Sequence, residues 1–122
     1  MKSFLFVFLG GGLGSALRYL VASAMNQYSK VLPYGTFTVN ILGCLLIGMI
    51  LGYAQKENTL TSNQTLLLAT GFCGGFTTFS AFANENLELI KNGEICNFSV
   101  YTIGSILVGV LAVFIGFYLT NR

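Results

Sequence analysis

Asn40 lies in the middle of a charge-free run, with Thr36 four residues before it. On a helix that spacing puts both on one face, so a hydroxyl and an amide form a short polar ladder in apolar surroundings. Such groups often just bond a neighbouring helix, and the pair alone leaves open whether they do more. Phe79 and Phe82, three apart, and Tyr101 and Ser105, four apart, share faces in the same way. Aromatic pairs at helical spacing ordinarily pack a core. The rim of a phenyl ring is nevertheless its positive part, so ring edges lining a narrow passage touch an anion without gripping it.

A second feature is Gly71-Phe-Cys-Gly-Gly-Phe-Thr-Thr-Phe-Ser80. Two adjacent glycines followed by Thr77 and Thr78, amid apolar residues, predict a broken helix whose new start is capped by a threonine hydroxyl. Irregular backbone inside a membrane survives only where protein buries it or water reaches it. Broken helices offer carbonyls to cations and helix N-termini to anions; a kink without any ligand is the plain alternative. Arg18 is the third feature. A charge within an apolar span either snorkels to the nearer surface or serves a function.

The ingredients that are missing are equally informative. There is no His and no Asp among 122 residues, and the three Cys are scattered. Metal clusters and His-based catalysis therefore lose most of their raw material, and no nucleophile–base pair can be proposed for an enzyme. A net charge of +2 with no basic cluster gives no footing for nucleic acid. With 8% charged residues, against about 25% in an ordinary soluble domain, the chain lacks the charge to coat a water-facing surface.

What positions these residues is a set of membrane-spanning helices. The ten charges are Lys2, Arg18, Lys30, Lys56, Glu57, Glu85, Glu88, Lys91, Glu94 and Arg122. The long charge-poor stretches between them reach the roughly 20 residues that a spanning helix needs. They predict helices near 3–27, 35–55, 64–90 and 98–120, the third broken near Gly74–Thr78. The fold class is thus an all-α membrane protein, and residues 1–122 form a single four-helix transmembrane domain. The first residues resemble a secretory signal, but the apolar run continues through Tyr19-Leu20-Val21-Ala22, which favours a retained span. Glu85 and Glu88 are explained by a position at the membrane interface.

Fifteen glycines, most of them within these spans, suit close helix approach in lipid. Gly10-xxx-Gly14, Gly48-xxx-Gly52 and the row Ser105, Gly109, Ala112, Gly116 predict packing faces. Four spans place Lys2, Lys56 and Arg122 on one side and Lys30 and Lys91 on the other. Orientation follows the cytoplasmic excess of Lys and Arg, and three against two is nearly balanced. Either both orientations insert, allowing an antiparallel homodimer, or Lys2 alone decides one orientation.

Three motifs in order, Gly11-Gly-Leu-Gly-Ser-Ala-Leu-Arg18-Tyr19, Gly35-Thr-Phe-Thr-Val-Asn40-Ile-Leu-Gly43 and Gly71-Phe-Cys-Gly-Gly-Phe-Thr-Thr-Phe-Ser-Ala-Phe82, resemble those of the Fluc (CrcB-type) fluoride channels. The resemblance covers all four spans and implies a dual-topology, antiparallel homodimer in the cell membrane, with two fluoride pores. It implies that Asn40 offers its amide to fluoride and that Phe79 and Phe82 line the pores with ring edges. Thr36, Ser80, Tyr101 and Ser105 would add polar contacts, and Arg18 would stand in an aqueous vestibule. The carbonyls of Gly74 and Thr77 would hold a structural Na⁺ at the dimer interface. Gly109 stands where the family often has a second serine one turn after Ser105, which shortens any hydroxyl track on the fourth helix.

The implied chemistry is physically coherent. Fluoride is strongly hydrated, so a pore must replace water with donors while still releasing the ion. Amide, hydroxyl and phenyl-edge contacts meet both demands. With no coupling site evident, flow would be passive, and a 100 mV potential offers about 2.3 kcal/mol for expelling a monovalent anion. The role implied is protection: HF enters as a neutral acid, dissociates in the cytoplasm, and the trapped fluoride leaves. Two other classes compete. A proton-coupled exporter of cationic compounds wants an acid deep in a span, and none precedes Glu85. An accessory protein would use the glycine faces but leave Arg18, Asn40 and the broken helix idle.

Overall fold

The computed structural model describes residues 1–56 and 59–122; Glu57 and Asn58, in the loop expected to join the second and third spans, lie outside the described residues. Four helical spans account for nearly all the rest. Helix α1 (Lys2–Met25) runs into a short 3₁₀ turn at Asn26–Tyr28. Helix α2 (Tyr34–Gln55) follows Pro33, which has no side chain to cap it. The cap comes instead from Asn26, whose Oδ1 accepts from Gly35 N–H at 3.0 Å.

The third span is segmented. It opens with α3 (Ser62–Thr65) behind a Thr61/Gln64 capping box, in which each side chain satisfies a backbone N–H of the other. It continues as a π-helical stretch, Leu66–Cys73, then α4 (Gly74–Phe76), an interruption at Thr77 and Thr78, and α5 (Phe79–Lys91). Gly93, at φ 73°, turns the chain beyond α5 into α6 (Ile95–Thr120). The left-handed conformation is one that glycine adopts without steric cost. All four spans are long and apolar enough to cross a membrane, so this is a multi-pass all-helical membrane protein.

Two backbone-to-backbone seams hold the spans together. In the first, α1 lies against the third span. A Cβ added at Gly14 would stand 2.2 Å from the Phe72 carbonyl oxygen, and one at Gly75 would stand 2.4 Å from that of Gly11. In the second, α2 lies along α6, where a Cβ at Gly48 would stand 2.2 Å from the Val113 oxygen and one at Gly116 2.3 Å from that of Leu45. Gly109 is looser, with Cys44 Sγ at 3.5 Å as its nearest neighbour. The expected small-residue faces are therefore packing faces. Their outward sides carry exposed Phe4, Phe8, Leu13 and Phe114, as lipid or a partner helix requires.

The ends also fall as the charge pattern predicts. Lys56 Nζ donates to the Arg122 carbonyl, and the Arg122 guanidinium lies over the Tyr118 ring. Lys30 lines a polar hollow with Glu85, Glu88 and Glu94.

Candidate functional site

The interruption of the third span organises the site, and it falls within the expected Gly74–Thr78, at the threonine end of that range. Gly74 and its neighbour Gly75 stay helical; Thr77 (φ −80°, ψ 159°) and Thr78 (φ −147°, ψ 122°) are the extended residues. Gly75 serves packing, since it touches Gly11 of α1, whereas Gly74 borders open space. As expected, a threonine caps the new helix: Thr78 Oγ1 accepts from Ala81 N–H at 3.2 Å.

Asn40 braces this interruption. Its Oδ1 accepts from Thr78 N–H at 2.8 Å and its Nδ2 donates to Thr78 O at 3.0 Å. One side chain thus takes the N–H that an unbroken helix would pair with Gly74 and adds a bond to the Thr78 carbonyl, and Nδ2 keeps a second hydrogen beyond that pair. Gly43, one turn further along α2, leaves the room that the Thr77 methyl fills; a Cβ there would stand 2.2 Å from Thr77 Cγ2.

The diverted donors decide which carbonyls are left open. In an unbroken helix the Gly74 carbonyl would accept from Thr78 N–H and the Thr77 carbonyl from Ala81 N–H. Those donors now go to Asn40 and to the Thr78 hydroxyl. Of the two carbonyls between them in sequence, that of Gly75 is taken by Arg18 Nε at 3.0 Å, with Ser15 Oγ at 3.4 Å.

Beside the interruption opens a cleft of about 580 Å³ lined by Asn40, Gly74, Thr77, Phe79, Phe82 and Ser105, among others. Ser105 Oγ is buried there without a hydrogen-bond partner among the described residues. Phe79 is 78% exposed, its ring 5.9 Å from Phe82 at a 43° tilt. Phe82 in turn lies 5.1 Å from Tyr101 at 46°. The three rings form a row leading away from the cleft.

At the end of the row is Glu85. Thr36 Oγ1 donates to its Oε1 at 2.5 Å and Tyr101 OH to its Oε2 at 2.7 Å. Thr36 and Tyr101 are nearly fully buried, so the carboxyl group is joined to α2 and α6 inside the bundle rather than being only an interfacial charge. Glu85 was not among the expected site residues. Its signal was a register: it follows Phe82 by three positions and precedes buried Leu89 by four, on one helix face.

The expected site residues thus divide. Asn40, Phe79, Phe82 and Ser105 share the cleft with Gly74 and Thr77, while Thr36 and Tyr101 meet at Glu85. Ser80 is exposed, 3.3 Å from the Thr78 hydroxyl. Arg18, on α1, reaches the interruption through Gly75 and is not among the residues lining the cleft.

Comparison with known proteins agrees over the whole chain. The family model described as CrcB-like protein, Camphor Resistance (CrcB), matches residues 5–117. A Flavobacterium psychrophilum protein named "Fluoride-specific ion channel FluC" is 44% identical over 100% of this chain and 99% of its own length. Proteins of the same name from Phocaeicola vulgatus (47%; 99% and 100%) and Gloeothece citriformis (48%; 100% and 99%) match as fully. A match of this extent means that the chain belongs to the CrcB-like protein family.

Proposed function

We propose that this chain is a fluoride-selective ion channel, not an enzyme, which lets cytoplasmic fluoride leave passively across the plasma membrane. The observation that carries the reading is end-to-end similarity to relatives named as fluoride-specific channels. The geometry supports it: neutral donors and ring edges line one cleft and continue into a row of aromatic rings. Asn40, with one Nδ2 hydrogen beyond its Thr78 pair, offers fluoride a donor. The unpartnered Ser105 hydroxyl offers another, and the tilted rings of Phe79 and Phe82 present positive rims. Thr36, Ser80 and Tyr101 extend the polar path, the first and last through Glu85.

The working unit in this reading is an antiparallel homodimer with two pores. Each protomer exposes 7805 Å², against roughly 6,400 Å² for a soluble monomer of its mass. A second copy over the cleft face would account for part of the excess. A structural Na⁺ fits the same interface. It is a hard cation suited to oxygen ligands, and the Gly74 and Thr77 carbonyls are those whose helical donors are diverted.

Cells stripped of their own fluoride exporter test the proposal. Expression of this chain should restore growth in fluoride, and a C-terminal tag should be reachable from both membrane faces. No gain in resistance would overturn export, and a tag reachable from one face only would overturn dual topology.

A further inference from the structure

We propose that Arg18 acts as a positioning residue for permeation: its Nε–H tethers the backbone beside the interruption, and its charge is not what the pathway uses. Arg18 Nε donates to the Gly75 carbonyl at 3.0 Å, and Ser15, one turn earlier on α1, points its hydroxyl at the same oxygen. In an unbroken helix that oxygen would accept from the Phe79 N–H, which lies beyond the interruption. Inside a membrane such a carbonyl must find another donor, and α1 supplies one. The approach is rigid, because Gly11 meets Gly75, and Gly14 meets Phe72, backbone to backbone.

Gly75 lies between Gly74, which lines the cleft, and the extended Thr77, which lines it too. Holding the Gly75 carbonyl fixes the peptide planes that lead into Thr77, and through Asn40 and Thr78 the start of the helix bearing Phe79 and Phe82. The guanidinium itself stands on the α1 side of the third span, apart from the cleft residues. The role this contact supports is a backbone tether rather than a vestibule charge that attracts the anion.

The inference rests on the fluoride-channel reading, since permeation is its readout, and chain geometry supplies a clean test. Gln Nε2 is the same number of bonds from Cα as Arg Nε and is uncharged; Lys keeps the charge but places its nitrogen one bond further out. Wild type, Arg18→Ala, Arg18→Gln and Arg18→Lys are compared as purified proteins in liposomes by fluoride efflux. Salt is set at about 0.01 M and at about 1 M, between which the screening length falls from about 30 Å to about 3 Å.

Arg18→Ala should slow efflux by roughly tenfold to a hundredfold, the equivalent of one lost hydrogen bond to a charged group. Arg18→Gln should recover most of the rate and Arg18→Lys should not, with ratios to wild type that do not change with salt. Recovery by Lys but not Gln, or a Gln deficit that shrinks at high salt, would show that charge is what matters and would overturn the proposal. So would a full rate for Arg18→Ala. If Arg18→Gln fails to fold, solid-state NMR of the wild type in lipid decides, through the dipolar coupling of Arg18 Nε to the Gly75 carbonyl carbon: a strong coupling supports the tether and its absence overturns it. Wild type without fluoride efflux would refute the channel reading instead, and the NMR coupling would still test the tether.

Discussion

Replacing Phe82 by Ile is expected to abolish fluoride efflux while the protein still folds. Phe82 is the middle ring of the row, 5.9 Å from Phe79 and 5.1 Å from Tyr101, tilted to each by 43° and 46°. Phe82 lines the cleft, and in the proposed channel its rim, the positive part of the π system, is what meets the anion. Isoleucine refills much of the volume but has no such rim. The two ring–ring contacts that are lost, each worth about 0.5–1.5 kcal/mol, weaken the fold only slightly. Stability should fall by no more than the same small sum, because Phe82 is only half-buried. Efflux from liposomes and thermal unfolding in detergent measure the two effects separately. An unchanged rate would remove the aromatic-edge role.

Asn40→Leu should have the larger effect on the fold. Leucine occupies a similar volume but can make neither bond to Thr78, leaving that residue's N–H without its partner, while its C=O keeps the first bond of the new helix. One unsatisfied N–H costs about 1–3 kcal/mol, and a loss of about that size is expected. Efflux should vanish with it, since the interruption and the donor to fluoride depend on one amide. A variant that unfolds at the wild-type temperature would show that Asn40 does not brace the interruption. A stable variant with lost efflux would leave Asn40 as an ion contact alone.

How much of this was legible in the sequence depends on the range of the interaction. The spans were, because every charge except Arg18 falls near the end of one, and the small-residue rows named their own packing faces. The Thr78 cap was legible too, since its partner Ala81 is three residues away. The interruption was legible as well, since Thr77 and Thr78 fall within the expected Gly74–Thr78. Gly74 and Gly75 look like helix breakers yet stay helical; the small size of Gly75 is used by α1, and which helix a glycine faces is set by tertiary packing. Asn40 was marked as polar and central, but its partner Thr78 is 38 residues away. Arg18 and Gly75 are 57 apart, and nothing local distinguishes a tether from a vestibule charge. Glu85 was missed as a meeting point because Thr36 and Tyr101 reach it from two other helices. The π-helical stretch Leu66–Cys73 has no composition that separates it from an α-helix.

Fluoride and chloride release from the same liposomes, containing this protein alone and loaded with both anions, tests the central claim most directly. A fluoride electrode and a chloride electrode read the two ions after a potassium ionophore removes the charge imbalance. Fluoride should leave rapidly while chloride stays inside. No fluoride release, or chloride leaving as fast, would contradict a fluoride channel.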